Sequence, residues 1–433
     1  MKRMLPILFY SLIFLYTKST AQTTLNGELR TRPEFRYGYK QLPDSGSKAA
    51  FFISQRSRVT LDVKKEKYAM SLSIQDVRVW GDEQKYNSSG IQGDNASIDL
   101  KEAWFSYNFN KEFNIKIGRQ EFKYGDQRLL AARNWNQHGM SYDALLLSYK
   151  GMFRCDAGFS YNNNNEITFQ ELYATDKMKT FNFLYVQKEF SEQVDIYGLY
   201  ILSGIQDPDK VEGIFIKNTM GLSATLKGDN LELNANGYYQ NGRNKDNTKV
   251  SAFLLSGYAA YSLSSFKYTI GADIISGQNA LSSDSSYLET DHVFDILYGA
   301  RHSFNGDIDQ FSNLNSGTGG GGLIDVYFSS TYSQGKKLSL KVTCHYFQLQ
   351  NNVWNTESVT PPFTALNSYL GSELDGKLSY KVTGELTIDL GYSILKAAET
   401  LYTIQESTAE NRMPASWAWM MVTFKPVFIT TEK

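Results

Sequence analysis

The chain has 433 residues with 44 basic and 45 acidic side chains, and its formal net charge of −1 gives no overall attraction for nucleic acid or for ions of either sign. A mean hydropathy of −0.39 excludes a bundle of membrane-spanning helices. Two cysteines are too few for a disulfide framework. Any ionic selectivity must therefore come from charges placed locally.

The N-terminus has the three parts of a secretory signal. Lys2 and Arg3 are positively charged, residues 5–16 form an apolar core, and Ser19, Thr20 and Ala21 provide a small-residue cleavage site. We predict a signal peptide over residues 1–21 and a mature chain that starts at Gln22. The alternative is an uncleaved membrane anchor, although the apolar core is short for a span.

The rest of the chain, residues 22–433, consists of about 18 strand-like runs. Eight links between them are tight and the nine others are long and polar. A transmembrane antiparallel β-barrel has this asymmetry, with short turns at one rim and long loops at the other. We therefore predict an all-β fold, a single monomeric barrel in contact with outer-membrane lipid, with both mature termini at the short-turn rim. A soluble sandwich with one solvated face also shows alternating strands, but it does not explain the sorted links.

Alternation within the strands assigns the faces of the barrel wall. In residues 385–394 the even positions are apolar and the odd ones mostly polar, which predicts a lipid side and a wet lumen. Cys155 and Cys344 share parity with apolar neighbours, which argues against a disulfide or a metal site. Arg78 shares the apolar parity of its strand, and we expect a bulge near Gln75 to turn it inward. Trp417 and Trp419, near a strand end, suit an aromatic girdle, although each alone is also compatible with ordinary packing.

Charged residues concentrate on one parity of the first two strands. Charge at the lipid midplane costs roughly 2–4 kcal/mol per Arg or Lys, so these side chains are expected to face the lumen. They are Glu28, Arg30, Arg32, Glu34 and Arg36 on the first strand and Arg56 and Arg58 on the second. A guanidinium ladder can hold an anionic solute weakly at several points, as passage requires. The alternative is a self-neutralising Arg–Glu network that stiffens the wall.

Several segments together resemble the alginate-export outer-membrane family. They are Leu100-Lys-Glu-Ala-Trp-Phe105, Ile117-Gly-Arg-Gln-Glu-Phe-Lys-Tyr-Gly-Asp-Gln-Arg-Leu129, Arg133-Asn-Trp135, Ser141-Tyr-Asp-Ala144 and Arg30-Thr-Arg-Pro-Glu-Phe-Arg36. The similarity is strongest over about residues 27–150. The resemblance implies an 18-stranded barrel whose positively charged lumen lets an anionic polysaccharide leave the cell.

The loop that follows Gly125 offers further charges for the pathway. Arg128 and Arg133 either fold inward and narrow the pore with Arg119 and Asp126, or tie the loop to the wall. The full predicted set of pathway residues is Arg30, Arg32, Glu34, Arg36, Arg56, Arg58, Arg78, Glu102, Arg119, Asp126, Arg128 and Arg133. Residues 276–322 form the longest loop, and its Gly317–Gly322 segment suits a lid or plug.

The last strand is predicted at residues 415–424. Phe428 either extends this strand or belongs to a polar tail that is an unusual end for a barrel read by the assembly machinery. We expect the periplasmic export or assembly machinery as a partner.

These features predict an anion-selective channel in the outer membrane of a Gram-negative bacterium, passing an anionic oligo- or polysaccharide such as alginate. Asp291-His292 and His302-Ser303 are adjacent pairs, and neighbours on a strand face opposite sides, so we predict no enzyme activity. We also predict no cofactor, no metal and no nucleic-acid partner. The alternative is a non-conducting surface protein whose long loops bind a partner or a glycan.

Overall fold

The structure is a computed structural model that describes residues 21–81, 85–86, 92–93, 98–355, 364–410 and 412–431, with backbone alone for 85–86 and 92–93. The expected signal peptide lies outside these residues apart from Ala21. No helix in these ranges is both long and apolar enough to cross a membrane.

Eighteen consecutive antiparallel strands form one closed barrel in the described part of the chain. The first nine are β1 Gln22–Tyr37, β2 Ala50–Lys64, β3 Tyr68–Val79, β4 Ile98–Asn108, β5 Phe113–Gln120, β6 Tyr142–Lys150, β7 Arg154–Tyr161, β8 Met178–Ser191 and β9 Val194–Gln206. The second nine are β10 Ile214–Lys227, β11 Leu231–Arg243, β12 Lys249–Leu263, β13 Phe266–Ile275, β14 Leu323–Gln334, β15 Leu338–Leu349, β16 Tyr369–Lys381, β17 Leu386–Ala397 and β18 Ala415–Phe424. The predicted fold and strand number are confirmed.

The barrel closes where β18 pairs with β1, with Tyr37 opposite Ser416 and Leu29 opposite Phe424. Pro426 interrupts the last strand, but its carbonyl accepts from the amide of Gly27 at 2.9 Å. The segment Val427–Thr430 then continues the pairing down β1. Of the two alternatives for Phe428, the structure therefore shows the one in which it extends the last strand.

The links sort by rim as the sequence predicts. Eight short links, of two to four residues each, join alternate strand pairs at one rim, and the nine others lie at the opposite rim. Gln22 pairs with Lys64 beside a short link, and Thr24 pairs with Thr430. Both ends of the barrel wall therefore lie at the short-turn rim.

Alternation fixes the two faces of the wall. On β17, Leu390 is 41% exposed on the outside and Ser393 is buried inside. Cys155 and Cys344 are free thiols on the outward parity of their strands. β9 departs from a polar lumen, because its inward Tyr197, Leu199 and Ile201 are buried. They belong to an apolar cluster that loop residues complete from inside the barrel.

The long links carry the remaining regular structure. The helices are α1 Ser285–Leu288, α2 Leu314–Thr318 and α3 Glu399–Ile404, with one 3₁₀ turn at Arg301–Ser303. Thr290–Asp291 pairs in parallel with the start of β12, and Lys85–Tyr86 pairs with Gln92–Gly93. Residues 276–322 therefore form an ordered insertion held against the barrel wall.

Candidate solute pathway

Two long links, residues 121–141 and 276–322, fold into the barrel. The part of the lumen that they leave unfilled is the candidate solute pathway. The first docks through Phe122, whose ring lies 4.9 Å from Phe183 and 5.0 Å from Tyr142 of the wall. Leu130 of this link is fully buried and bridges to Tyr298 of the second link. An apolar inner wall on β6–β9 thus seats the loop, which explains why β9 is apolar on both faces.

Arg30 faces inward as predicted, but it is covered rather than open to a solute. It is 5% exposed, and its guanidinium donates to the Gln137 side chain at 2.8 Å and to the Asn134 carbonyl at 2.7 Å. It also donates to the carbonyls of Trp135 and Asn136 at 3.3 and 3.1 Å. One guanidinium therefore holds four consecutive residues of the loop.

Arg32 and Glu34 complete this anchor on β1. Arg32 donates to Glu34 at 2.8 Å and to the Trp135 carbonyl at 2.8 Å, and its guanidinium lies 4.3 Å from the centre of the Trp135 ring. Glu34 is buried and also accepts from Arg36 at 2.7 Å. The charges on this strand neutralise one another or bind loop carbonyls, as the stiffening alternative expects.

The inward residues of β2 and β4 extend the same arrangement. Arg56 is 2% exposed; it donates to the Gln137 carbonyl at 3.1 Å and forms an ion pair with Glu28. Arg58 donates to Gln75 at 2.7 Å. Glu102, on β4, accepts from the Trp104 indole and from the Glu121 amide, each at 3.2 Å.

Arg78 and Arg119 lie on the outer side of the wall and not in the lumen. The expected bulge near Gln75 occurs instead on β4, where Ser73 pairs with Glu102 and Ile74 with Leu100, so that Lys101 is the extra residue. β3 therefore keeps its phase, and Arg78 pairs with Asp76 at 2.6 Å on the side of exposed Ile74. Arg119 pairs with Asp143 at 3.0 Å on the side of exposed Ile117.

Arg128 fastens the first link to the opposite wall. It donates to the two carboxylate oxygens of Asp273 on β13 at 2.6 and 3.2 Å and approaches Asp126 at 3.4 Å. Its guanidinium also lies 3.9 Å from the centre of the Phe304 ring. Burial alone would lower the pKa of Arg128, but Asp273 and Asp126 outweigh burial and hold the pKa above its ordinary value.

Arg133 fastens the first link to the second. It donates to the carbonyls of Gly299 and Leu297, each at 2.8 Å. Burial and the nearby charge of Arg301 lower the pKa of Arg133. The alternative in which these arginines tie the loop in place is the one that the contacts favour, and both also border open space.

The second link presses onto a wall that is mainly acidic. Asn305 donates to Asp273 and Asp325 at 3.1 and 3.3 Å, and the Ile308 amide donates to Glu373 at 2.8 Å. Asp307 pairs with Lys377 at 2.8 Å. Gly306 has φ +85, and a Cβ there would lie 2.7 Å from a Glu373 oxygen, so the backbone needs glycine to approach this wall.

An aromatic group joins both links to β18. Trp135 stacks on His302 with ring centres 4.4 Å apart and meets the Trp419 ring edge-on at 4.8 Å. Trp417 is fully buried and donates to Glu34 at 3.0 Å. Trp417 and Trp419 therefore point inward and do not form the girdle that their position suggested. On β18 these tryptophans alternate with the outward Ala418 and Met420, and this alternation predicts their inward position.

In the described part of the chain, two cavities lie between the links and the wall. The upper cavity, of about 500 Å³, lies among the long links and is lined by Lys40, Lys123, Asp126, Arg133, Arg301 and Asp309 among others. The lower cavity, of about 390 Å³, extends toward the short-turn rim along β11–β16. Asp126 and Ser303 line both cavities. The two cavities therefore adjoin at these residues, a place that we call the junction.

Comparison with known proteins agrees with this architecture. The sequence profile of the family described as Alginate export matches residues 22–414. This chain belongs to the alginate export family. No curated protein matches the sequence.

Solved structures with the same fold as this family member include outer-membrane proteins of two bacteria. Pseudomonas aeruginosa OpdK is similar with a TM-score of 0.59 and 11% identity, over 94% of this chain and 99% of that one. Acinetobacter baumannii OccAB2 gives 0.59 and 11%, over 94% and 98%. Pseudomonas aeruginosa OccK9 (OpdG) gives 0.62 and 8%, over 94% and 98%. At these identities the likeness establishes the outer-membrane barrel fold.

Proposed function

We propose that this alginate-export family member is a channel in the outer membrane of a Gram-negative bacterium and that it passes anionic solutes. The observation that carries the proposal is the charge of the upper cavity. Four cationic side chains line it, Lys40, Lys123, Arg133 and Arg301, against the two carboxylates of Asp126 and Asp309. Glu121 and Asp295 pair with Lys123 and Arg301 at 2.7 and 3.5 Å but do not line the cavity, so a solute inside it faces more cations than carboxylates.

The position of these charges favours selection of anions over cations. Fixed charges act over about a Debye length, roughly 8 Å at physiological salt, so charges that line a narrow cavity dominate over those on distant loops. The near-neutral net charge of −1 is therefore compatible with anion preference. The arginines of β1 and β2 contribute less than the sequence suggests, because Arg30, Arg32 and Arg56 are buried beneath residues 133–138.

Reversal potentials in planar bilayers under a salt gradient test the proposal. The protein is expected to prefer anions, and the double variant Lys40→Gln/Lys123→Gln is expected to reduce that preference. Lys48→Gln/Lys245→Gln is the matched control, since both lysines lie on long links and neither lines the upper cavity.

Cation preference in the unaltered protein would overturn the proposal. So would the absence of current both in the unaltered protein and in an Arg30→Ala variant whose loop anchor is removed. The second result would leave the non-conducting surface protein as the better account of the long links.

A further inference from the structure

Three lysines lie in one registered row at the lower end of the lower cavity. Lys267 on β13 pairs with Thr331 on β14, Thr331 pairs with Lys341 on β15, and Lys341 pairs with Lys377 on β16. All three line the lower cavity. Four adjacent strands thus place three ammonium groups at one level of the wall, on the side toward the short-turn rim.

This row of like charges destabilises the folded sheet, which suggests that the row serves a function. Like charges directly opposite each other on neighbouring strands destabilise a sheet, and Lys341 faces Lys377 in this way. Lys377 pairs with Asp307 at 2.8 Å, and Lys267 pairs with Glu232 at 3.3 Å. Within the described ranges, the Lys341 side chain makes no hydrogen bond or direct ion pair and is exposed to the cavity. Asp307 and Asp375 lie near this lysine without pairing with it directly, and a bound anion would supply a direct counter-charge.

Within the lysine row and above it, hydroxyl groups line the same cavity. Ser256, Tyr258, Thr269, Ser329, Thr331 and Thr343 provide them from β12–β15. Asn305 and Arg128, both held by Asp273, border the upper end. The volume of about 390 Å³ is at the lower end of the range of small-molecule sites, roughly 300–1,000 Å³. Such a chamber suits a compact polar solute.

We propose that the lower cavity is a binding site for a small hydroxylated carboxylate. Its carboxylate lies against Lys341, between Lys267 and Lys377, and its hydroxyl groups exchange hydrogen bonds with the seryl, threonyl and tyrosyl hydroxyls above. Nearby Asp307 and Asp375 favour a monocarboxylate over a more highly charged anion. This proposal rests on the proposed function in one respect: a channel brings the solute to the lower cavity.

Isothermal titration of the purified full-length protein with D-gluconate at low salt tests this site. Gluconate is expected to bind, and Lys341→Gln is expected to weaken binding by roughly tenfold, as loss of about 1.4 kcal/mol predicts. Lys341→Arg retains the charge and is expected to keep most of the affinity. Lys116→Gln is the matched control. This lysine packs on Trp104 of the neighbouring strand, on the other side of the lumen from the cavity, and does not line the cavity.

Two further ligands separate the two parts of the site. Sorbitol has the hydroxyls without the carboxylate, and acetate has the carboxylate without the hydroxyls, so each is expected to bind much more weakly than gluconate. The proposal is overturned if folded protein binds no gluconate, if Lys341→Gln binds it as tightly as the unaltered protein, or if acetate equals gluconate. Since binding is measured without current, its failure is distinct from a failure of the channel proposal.

Discussion

The two walls that face each other across the lumen hold their loops by different chemistry. On β1 and β2, cationic side chains bind the carbonyls of residues 134–137. On β13–β16, mainly acidic side chains bind side chains and one amide of the two links, with Asp273 holding both Arg128 and Asn305. The basic wall is thereby hidden, while the lower part of the second wall, where its lysines lie, stays open. Charge on the inward face of a strand therefore does not by itself identify the surface that a solute meets.

The largest effect is expected from Arg128→Ala. This change leaves Asp273, which is 1% exposed, as a buried carboxylate without its charged partner, a loss of about 3–5 kcal/mol. Heat-induced mobility shifts on gels should show a lower unfolding temperature. Adding Asp273→Asn should recover much of the loss, and equal instability of the single and double variants would contradict the pairing.

A smaller effect is expected from Arg30→Ala. The net loss of these charge-assisted hydrogen bonds is expected to cost roughly 1.5–3 kcal/mol in total, which is enough to shift residues 133–138 away from the wall. Limited trypsin digestion should then cleave within this segment, and the single-channel conductance should rise. Arg36→Ala is the control, because Arg36 contacts Glu34 and not the loop carbonyls. The same digestion pattern in both variants would argue against a specific anchor.

The junction between the two loops should respond to Trp135→Ala. Each aromatic pair contributes about 0.5–1.5 kcal/mol, and Trp135 joins His302, Trp417 and Trp419. We expect larger current fluctuations in bilayers, because the two links then move apart more often. Trp135→Phe keeps an aromatic ring and should give smaller current fluctuations than Trp135→Ala. A steady current in Trp135→Ala would show that the aromatic contacts do not couple the two links.

The smallest effect is expected from Arg119→Ser. Its ion pair with Asp143 is largely exposed, and such pairs contribute about 0–1 kcal/mol. Because Arg119 lies outside the barrel, the reversal potential should equal that of the unaltered protein. A shift as large as that of Lys40→Gln/Lys123→Gln would place Arg119 on the pathway after all.

Much of the fold can be predicted from the sequence because it depends on local patterns within single strands and links. Alternation with a period of two assigns Arg30 and Arg56 to the lumen, and link lengths give the strand number and the rims. The predicted inward position of Arg78 is wrong because the bulge lies on the partner strand at Lys101, and alternation within β3 cannot reveal it. The row of Lys267, Lys341 and Lys377 needs the register of four strands, to which the sequence of each strand alone gives no access.

The covering of the arginines was the least predictable feature. It depends on residues 133–138 reaching β1 across more than 100 positions of sequence, and on the apolar seat that Phe122 finds on β6–β9. Strand parity, together with the resemblance to a family with a positively charged lumen, points to the arginines themselves. Lys40, Lys123 and Lys341, which line the two cavities, carry no comparable motif.

Chemical modification at the junction tests the pathway most directly. In a Cys155→Ser/Cys344→Ser background, Ser303→Cys places a thiol where the two cavities meet, at a residue that is exposed. We predict that a negatively charged methanethiosulfonate reagent reduces the current sharply in this variant and leaves the cysteine-free background unaffected. A current that persists after mass spectrometry confirms complete modification of the Ser303→Cys variant would contradict a path between Asp126 and Ser303.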